Sequence, residues 1–239
     1  MLISVVIPVY RSSGTLVELT DRIEAVFAGI EGLDHEIVFV NDSPFWAETC
    51  ATLKTLAEKN HRVTAVELTR NFGQQPATLC GIEYAGGDYI LTMDDDLQHA
   101  PEDIPRLLAG AAHDVVVARF RAKKHSLFKR AASRLKGYFD QVILGKPKGL
   151  VLSPFRLFKA PIAKFMLKRN TPYPFIPALL FEITDDVVNV EIDHHSRSAG
   201  RSHYTLTRML RLFSNLIINN SSLLLRTVGY AGFAVALVA

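Results

Sequence analysis

Three consecutive carboxylates, Asp94, Asp95 and Asp96, carry the clearest chemical signal in the sequence. They follow a short apolar run at 88–93, and Gln98 comes shortly after them. Adjacent carboxylates behind a buried strand repel one another, so a fold keeps them only where a cation or hydrogen-bond donors compensate. Oxygen ligands on a short loop suit Mg²⁺ or Mn²⁺ shared with substrate phosphates. The alternative, acids favoured by the dipole of a following helix, accounts for one or two carboxylates and not for three.

The elements that must position these acids alternate along the chain. Short runs rich in Val and Ile predict strands, and longer segments with apolar residues at helical spacing predict helices. The predicted strands are 2–9, 35–41, 62–69, 88–93 and 114–118, and the predicted helices are 15–28, 46–59, 74–85 and 101–111. This alternation predicts an α/β fold with a mostly parallel sheet flanked by helices on both faces. Ligands of such folds bind beyond the carboxyl ends of the strands, where the polar residues of 8–11 and 41–43 would join the acidic run.

The charge of the chain is divided unevenly along its length. Residues 1–118 contain 7 Lys and Arg against 18 Asp and Glu, a net charge of −11, whereas residues 119–239 contain 20 against 6, a net charge of +14. Hydrophobic residues make up 49% of the sequence, which excludes a disordered chain. The acidic half opposes nucleic acid, so we expect no nucleic-acid partner. Neither a G-x-x-x-x-G-K-[ST] loop nor a G-x-G-x-x-G turn follows the first strand, which argues against a P-loop NTPase or a dinucleotide oxidoreductase.

Two basic amphipathic stretches, 120–144 and 206–225, precede an apolar tail at 227–239. Basic amphipathic helices that lead into an apolar segment are typical of a membrane surface. The tail is shorter than the roughly 20 residues that span a bilayer, so it predicts the start of a truncated membrane helix. Alternatively, the stretches are ordinary helices packed on the sheet, and the tail is a buried C-terminal helix.

Six segments together resemble the inverting family-2 glycosyltransferases, and within them the polyprenyl-phosphate glycosyltransferases. They are SVVIPVY (4–10), VFVNDS (38–43), RNFGQQPATLCG (70–81), MDDDLQHAPEDIP (93–105), FKRAASRL (128–135) and HHSRSAGRSHY (194–204). The resemblance implies a Rossmann-like glycosyltransferase A fold. It also implies inverting transfer of a sugar from a nucleotide diphosphate sugar, preferably a UDP-sugar, to a polyprenyl phosphate such as undecaprenyl phosphate. Such enzymes modify cell-envelope glycans or lipids at the cytoplasmic face of a membrane, here the bacterial inner membrane.

The resemblance also implies roles for individual residues. The D-x-D pair falls on Asp94 and Asp96, which would hold Mn²⁺ or Mg²⁺ together with Gln98. Asp42 matches the carboxylate that holds the nucleotide base. The remaining implied nucleotide-binding residues are Pro8, Tyr10, Arg70, Asp94 and Asp95. The implied catalytic residues are Asp94 and Asp96, together with residues that match those gathered around the phosphates of donor and acceptor: Arg119, Lys129, Arg130, Ser133 and Arg197.

The charge division, the amphipathic stretches and the resemblance together predict a domain division. Residues 1–204 would form the catalytic domain, with a nucleotide- and metal-binding half at 1–118 and an acceptor-side half at 119–204. Residues 205–226 would be a juxtamembrane amphipathic helix, and 227–239 the start of a transmembrane helix. The sequence departs from many relatives at 41–44, where Asn-Asp-Ser-Pro replaces Asp-Asp-Gly-Ser, and before the Phe155-Arg156 pair, where relatives usually carry Gly or Asp.

Two other functions stay open at this point. A family-2 enzyme with a saccharide hydroxyl acceptor would need a group to take the acceptor's proton, such as Glu102, Asp103, His194 or His195. A lipid phosphate acceptor is already ionised near neutral pH and needs only to be positioned. The other candidate is a non-catalytic module that binds anionic lipid through the basic half. The sequence does not decide whether the chain forms a homo-oligomer.

Overall fold

The computed structural model describes residues 1–120, 145–169 and 173–193, together with the single residues 141, 171 and 230. The strands in these ranges are β1 (Leu2–Val9), β2 (Asp34–Asn41), β3 (Val63–Glu67), β4 (Tyr89–Thr92), β5 (Val115–Phe120), β6 (Arg156–Lys159) and β7 (Val187–Ile192). The helices are α1 (Leu16–Ala28), α2 (Ala47–Lys59), α3 (Gln74–Tyr84), α4 (Ile104–Leu108), α5 (Ala160–Leu167) and α6 (Ile176–Ile183). A 3₁₀ turn, Pro101–Asp103, leads into α4.

The strands form one sheet in the order β3-β2-β1-β4-β6-β5-β7. Strand β6 pairs antiparallel with both β4 and β5, and the other pairs of neighbours are parallel. In the register of the sheet, Val9 at the end of β1 lies opposite Asn41 at the end of β2, and Val6 lies opposite Thr92 at the end of β4. We call the side at which these parallel strands end the carboxyl edge, and the opposite side the amino edge. The prediction of a mostly parallel sheet is confirmed.

Helices cover both faces of the sheet, as predicted, because the central strands are apolar on both sides. Ile3, Val5 and Ile7 of β1 are fully buried in a core with apolar residues of α1 and α2. The alternate residue Val6 points into a second core, which includes residues of α3, α5 and α6. Continuous apolar runs of this kind are typical of parallel strands buried on both faces.

Helix α3 packs on the sheet at very short range through Gly81. A Cβ atom at this position would lie 2.5 Å from Val6 Cγ1 and 2.9 Å from Val40 Cγ2, closer than such atoms can approach. The absence of a side chain therefore lets the helix backbone rest on β1 and β2. Helix α3, which begins with Gln74, is thereby held close against the sheet.

The predicted strands and helices agree with the structure up to β5, and no strand or helix of the described residues beyond β5 was predicted. The five predicted strands and first three predicted helices match within about two residues at each end, while the fourth predicted helix is a 3₁₀ turn followed by the short α4. The elements β6, α5, α6 and β7 were not predicted. The predicted helices at 120–144, 205–226 and 227–239 lie outside the described residues, apart from residues 120, 141 and 230. Among the helices the structure does describe, none has the length and apolar character needed to cross a bilayer.

The chain divides into two compact units. The first comprises Met1–Ala122 and Leu150–Gly200 and contains the whole sheet, and the second comprises Lys123–Gly149 and Arg201–Ala239. The first unit thus takes residues from both predicted halves of the catalytic domain. The assignment of donor binding to 1–118 and acceptor binding to 119–204 stays a prediction.

Candidate active site

The loop Asp94–Gln98 follows β4 at the carboxyl edge and is held there by the start of α1. Thr15 Oγ1 donates a hydrogen bond to the main-chain oxygen of Asp95 over 2.6 Å. Within the loop, the Gln98 N–H donates to Asp96 Oδ1 over 3.1 Å. Leu97 is buried and has a φ of 60°, a left-handed conformation that a bulky side chain rarely adopts. Such strain costs on the order of 1–3 kcal/mol and clusters at functional sites.

The carboxylates of this loop are poorly compensated by the protein. Burial and the neighbouring charges of Asp96 and Asp95 raise the pKa of Asp94 to about 7. Burial and the charge of Asp96 likewise raise the pKa of Asp95 to about 6. The Oδ2 atom of Asp95 is buried without a hydrogen-bond partner. Raised pKa values of this kind cluster at functional sites, and a cation or hydrogen-bond donors near the loop would lower them.

Two neutral side chains, Gln74 and His99, orient Asp94. Gln74 Nε2, at the start of α3, donates to Asp94 Oδ1 over 2.5 Å. His99 Nδ1 accepts the N–H of Asp94 over 3.2 Å, while its ring stacks on Phe120 and tilts against Phe155. Burial lowers the pKa of His99 to about 4, so the imidazole is neutral near pH 7. Both residues belong to motifs of the sequence, 70–81 and 93–105, but neither was predicted to be a site residue.

Arg156 is the buried cation beside the acids. It is 4% exposed and begins β6, where it lies opposite Thr92, two residues before Asp94. Burial lowers its pKa to about 10, and the charge of Asp94 acts in the opposite direction. It therefore remains charged at neutral pH and offsets part of the negative charge. The position of Arg156 beside the acids was not predicted from the sequence, because the antiparallel strand that carries it was not predicted.

Asp42, at the end of β2, organises the loop that leads into α3. It is buried, and its Oδ1 accepts the N–H of Phe72 over 2.6 Å. Its Oδ2 accepts two hydrogen bonds, one from the N–H of Gly73 over 2.8 Å and one from Asn71 Nδ2 over 3.0 Å. Gly73 has a φ of 99°, which a residue without a side chain adopts readily. Burial raises the pKa of Asp42, while the Phe72 and Gly73 N–H groups oppose that rise.

A cleft of about 220 Å³ lies between the ends of β1 and β2. Of the predicted nucleotide-binding residues, Tyr10 and Asp42 line this cleft, whose wall also includes Arg11, Trp46 and Asn71. Pro8 and Arg70 are not among the lining residues. Pro8 lies in β1 beyond the residues that pair with β4, so its missing N–H costs no hydrogen bond there. The guanidinium of Arg70 lies 4.4 Å from the centre of the Phe72 ring.

The other predicted site residues are only partly within the described chain. Arg119 is exposed near the end of β5, the same edge of the sheet that carries the acids. Lys129, Arg130, Ser133 and Arg197 lie outside the described residues. In the part of the chain that is described, no group of three or more His, Cys, Asp or Glu side chains is arranged to hold a metal ion. A metal held by Asp94, Asp96 and Gln98 therefore stays a prediction.

Comparison with known proteins assigns this arrangement to a family. The model of glycosyl transferase family 2 matches residues 4–167, more than half of the chain. The undecaprenyl-phosphate 4-deoxy-4-formamido-L-arabinose transferase of Erwinia tasmaniensis is 34% identical over 238 residues, which cover 99% of this chain and 73% of that protein. Its counterpart in Salmonella paratyphi A is 31% identical over 237 residues, which cover 98% of this chain and 72% of that protein.

Solved structures support the fold. Glucosyl-3-phosphoglycerate synthase from Mycobacterium tuberculosis, in complex with Mn²⁺, UDP and phosphoglyceric acid, superposes with a TM-score of 0.63 at 14% identity. The match covers 91% of this chain and 78% of the synthase. S. aureus TarS in complex with UDP-GlcNAc gives a TM-score of 0.51 at 15% identity, over 92% of this chain and 67% of that one. The matched family model, the extended sequence identity and the acidic carboxyl edge confirm the family expected from the motifs: this chain belongs to glycosyl transferase family 2.

Proposed function

We propose that this chain transfers a sugar, with inversion, from a nucleotide diphosphate sugar to a polyprenyl phosphate. The observation that carries the proposal is the acidic loop Asp94–Asp96, in which the pKa values of Asp94 and Asp95 are raised and which lies at the carboxyl edge with the cleft of Tyr10 and Asp42. The similarity to undecaprenyl-phosphate sugar transferases over 98–99% of the chain supports the acceptor. The names of these relatives support undecaprenyl phosphate as the acceptor. We further propose a UDP-sugar as the donor, since structural neighbours are in complex with UDP or UDP-GlcNAc, and the cytoplasmic face of the bacterial inner membrane as the place of the reaction.

The residues of the acidic loop fit a divalent cation. Asp94 and Asp96 would hold Mn²⁺ or Mg²⁺, with Gln98 as a further ligand, because hard oxygen atoms suit these ions. The fit rests on the raised pKa of Asp94 and on the orphaned Oδ2 of Asp95, both of which a nearby positive charge would relieve. When bound, the ion supplies positive charge that stabilises the departing diphosphate.

The residues of the chain supply the rest of the chemistry. Transfer breaks the bond between the sugar and the diphosphate, so negative charge develops on the leaving group. The buried cation Arg156 and the exposed Arg119 place positive charge at the edge where that group leaves. The attacking phosphate is ionised before it binds, so the site must position it and need not remove a proton.

The described contacts of Glu102 and Asp103 favour a phosphate acceptor over a saccharide hydroxyl. A hydroxyl acceptor would need a general base, and these two acids are candidates. Glu102 accepts two hydrogen bonds from Arg22, at 2.9 and 2.6 Å. Asp103 accepts one from Arg106 at 2.8 Å. Because both acids are held in ion pairs, an acceptor that brings its own negative charge suits this site better.

Transfer to the lipid can be tested directly. The full chain is incubated with Mn²⁺ or Mg²⁺, undecaprenyl phosphate and a panel of nucleotide sugars, and the glycolipid product is detected. We expect a glycolipid from at least one donor and none with Asp96→Asn. Transfer to free saccharides without transfer to the lipid would support the saccharide-acceptor enzyme. Lipid binding without transfer from any donor, by folded protein, would support the non-catalytic module and contradict the proposal.

A further inference from the structure

The antiparallel ladder between β4 and β6 ends just before the acidic loop. Its last pair sets Thr92 opposite Arg156. Two residues further along β4 and two residues back from β6, the same register would set Asp94 opposite Pro154. The N–H of Asp94 instead donates to His99 Nδ1 over 3.2 Å, and a proline has no N–H to donate. The ladder is therefore open at the point where β4 turns into the acidic loop.

The hydroxyl of Thr92 closes this open end. Thr92 Oγ1 donates to the main-chain oxygen of Pro154 over 2.6 Å, in place of the main-chain donor that the ladder lacks. Arg156 Nε lies 3.5 Å from the same oxygen, which is longer than most hydrogen bonds. Thr92 is 2% exposed, so its hydroxyl is withheld from water. The short bond from Thr92 is thus the stronger of the two described at this oxygen.

The position of Pro154 bears directly on Arg156, because only one residue separates them. On the side of β5, this segment is held by the N–H of Ala118, which donates to the main-chain oxygen of Phe155 over 2.9 Å. On the side of β4, the bond from Thr92 holds it. The charges of Arg156 and Asp94 interact, and a preorganised charge stabilises a leaving group only while it stays in place.

We propose that Thr92 is a positioning residue, whose hydroxyl fixes the segment that leads into β6 and thereby holds the charge of Arg156 at the acidic loop. The inference rests on the proposed function, since it assigns Thr92 a part in sugar transfer that acts through Arg156. A serine at this position keeps the donor, whereas a valine keeps the shape of threonine and removes the donor.

The first test compares Thr92→Val with Thr92→Ser in the full chain. Initial rates of glycolipid formation are measured with Mn²⁺ or Mg²⁺, undecaprenyl phosphate and the nucleotide sugar that the wild type uses. We expect Thr92→Val to lower kcat by about tenfold, the scale on which a buried acceptor loses its donor. The KM for the donor should change by less than about threefold, because the charge on the leaving group develops only in the transition state. Thr92→Ser should keep kcat within about threefold of the wild type.

A double-mutant cycle then separates the positioning of Arg156 from a general loosening of the fold. If Thr92 acts through Arg156, Thr92→Val should lower kcat by less than about twofold when it is added to Arg156→Met. If Thr92→Val does not fold, Thr92→Cys takes its place in the cycle, because a thiol is only a weak donor.

Thr20→Val is the matched control. Thr20 is 3% exposed, and its Oγ1 donates to the main-chain oxygen of Leu16 over 2.8 Å within α1. The substitution therefore removes a buried threonine hydroxyl that also donates to a main-chain oxygen, in a helix and not at the ladder. We expect kcat of Thr20→Val to stay within about twofold of the wild type.

The outcomes distinguish this inference from the proposed function. Equal losses of kcat from Thr92→Val in the wild-type and Arg156→Met backgrounds would overturn the role of Thr92 and leave the glycosyltransferase proposal intact. The same holds if Thr92→Ser loses as much activity as Thr92→Val, since the hydroxyl would then not be what matters. Absence of transfer by folded wild-type protein from any donor would contradict the proposed function and this inference with it.

Discussion

Aspartates at the two edges of the sheet differ in how well the protein compensates their charge. At the amino edge, Asp114 Oδ1 accepts from Lys159 Nζ over 3.0 Å and its Oδ2 accepts from Thr184 over 2.8 Å. These two hydrogen bonds lower the pKa of Asp114, and hydrogen bonds to His113 and to the N–H of Asp114 lower that of Asp186. At the carboxyl edge, burial and mutual repulsion raise the pKa values of Asp94 and Asp95 to about 7 and about 6.

The difference separates acids that stabilise the folded chain in their ionised form from acids that destabilise it in that form. A carboxylate with a lowered pKa contributes stability when it is ionised, whereas one with a raised pKa destabilises the folded chain when it is ionised. Both kinds occur in one sheet, so the raised values are a property of one edge and not of the protein as a whole. Leu97 and Arg11, whose φ values of 60° and 53° are both left-handed, belong to that same edge. Destabilised groups gathered in one place mark the part of the molecule where function has outweighed stability.

The largest expected effect is loss of transfer when the acidic loop is neutralised. Asp96→Asn should lower kcat for glycolipid formation by about 10³-fold, because it removes a carboxylate of the proposed cation site, and that cation would stabilise the departing diphosphate. The fold should be retained, since the substitution relieves repulsion. Initial rates at saturating donor and lipid, with thermal unfolding of the same sample, measure both effects.

The matched control lies at the opposite edge. Asp114→Asn removes a carboxylate from its hydrogen bonds with Lys159 and Thr184, and should lower the free energy of unfolding by about 1 kcal/mol. Its kcat should stay within about twofold of the wild-type value. If both variants lost activity to the same extent, the distinction between the two edges would be wrong.

The next effect concerns Arg156, the cation buried among the carboxyl-edge acids. Arg156→Met keeps an unbranched side chain of similar length but removes the charge that faces Asp94. We expect kcat/KM for the donor to fall by about 100-fold, on the scale found when a preorganised charge is removed from an active site. Arg156→Lys should retain more activity than Arg156→Met if charge matters more than shape. Equal activity in the two variants would contradict the electrostatic role.

The part of the carboxyl edge that is formed by β1 to β4 could be predicted from the sequence. Val- and Ile-rich runs and helical spacing give these strands and helices almost to the residue, and the acids that follow β4 are adjacent in sequence. Arg156 could not be placed, because β6 is four residues long and pairs antiparallel with a strand that ends 64 residues earlier. No local pattern encodes such a pairing. The contacts of Gln74 and His99 with Asp94 likewise depend on the tertiary positions of α3 and of the loop after β4.

The pH dependence of stability should have opposite signs at the two edges. Asp94 in the folded chain keeps its proton up to about pH 7, whereas in the unfolded chain it loses it near pH 4. The contribution of Asp94 to the free energy of unfolding therefore falls as the pH rises from about 4 to about 7. Asp94→Asn should match the wild type near pH 4 and be more stable by about 2 kcal/mol near pH 8, a value moderated because the side chain remains 27% exposed.

Urea unfolding of metal-free protein across this pH range measures the free energy of unfolding of Asp94→Asn and of the wild type. The contributions of other titrating groups cancel in the difference between the two. Asp114 serves as the opposite case, because its lowered pKa gives stability above about pH 4 that is lost as pH falls through its folded value. Asp114→Asn should thus be less stable than the wild type at neutral pH. Asp94→Asn that is no more stable than the wild type at pH 8 would show that the carboxyl edge is compensated after all.

The smallest expected effect concerns His99, whose Nδ1 accepts the main-chain N–H of Asp94. His99→Phe keeps an aromatic ring against Phe120 and Phe155 but leaves the N–H of Asp94 without its acceptor. An unpaired buried N–H costs about 1–3 kcal/mol, so we expect kcat/KM to fall by about tenfold as the loop shifts. His99→Asn offers an oxygen in place of Nδ1 and should keep most of the activity while losing stability through poorer packing. The two variants therefore separate loop position from ring packing: if His99→Phe were the more active, stacking and not the hydrogen bond would be what His99 provides.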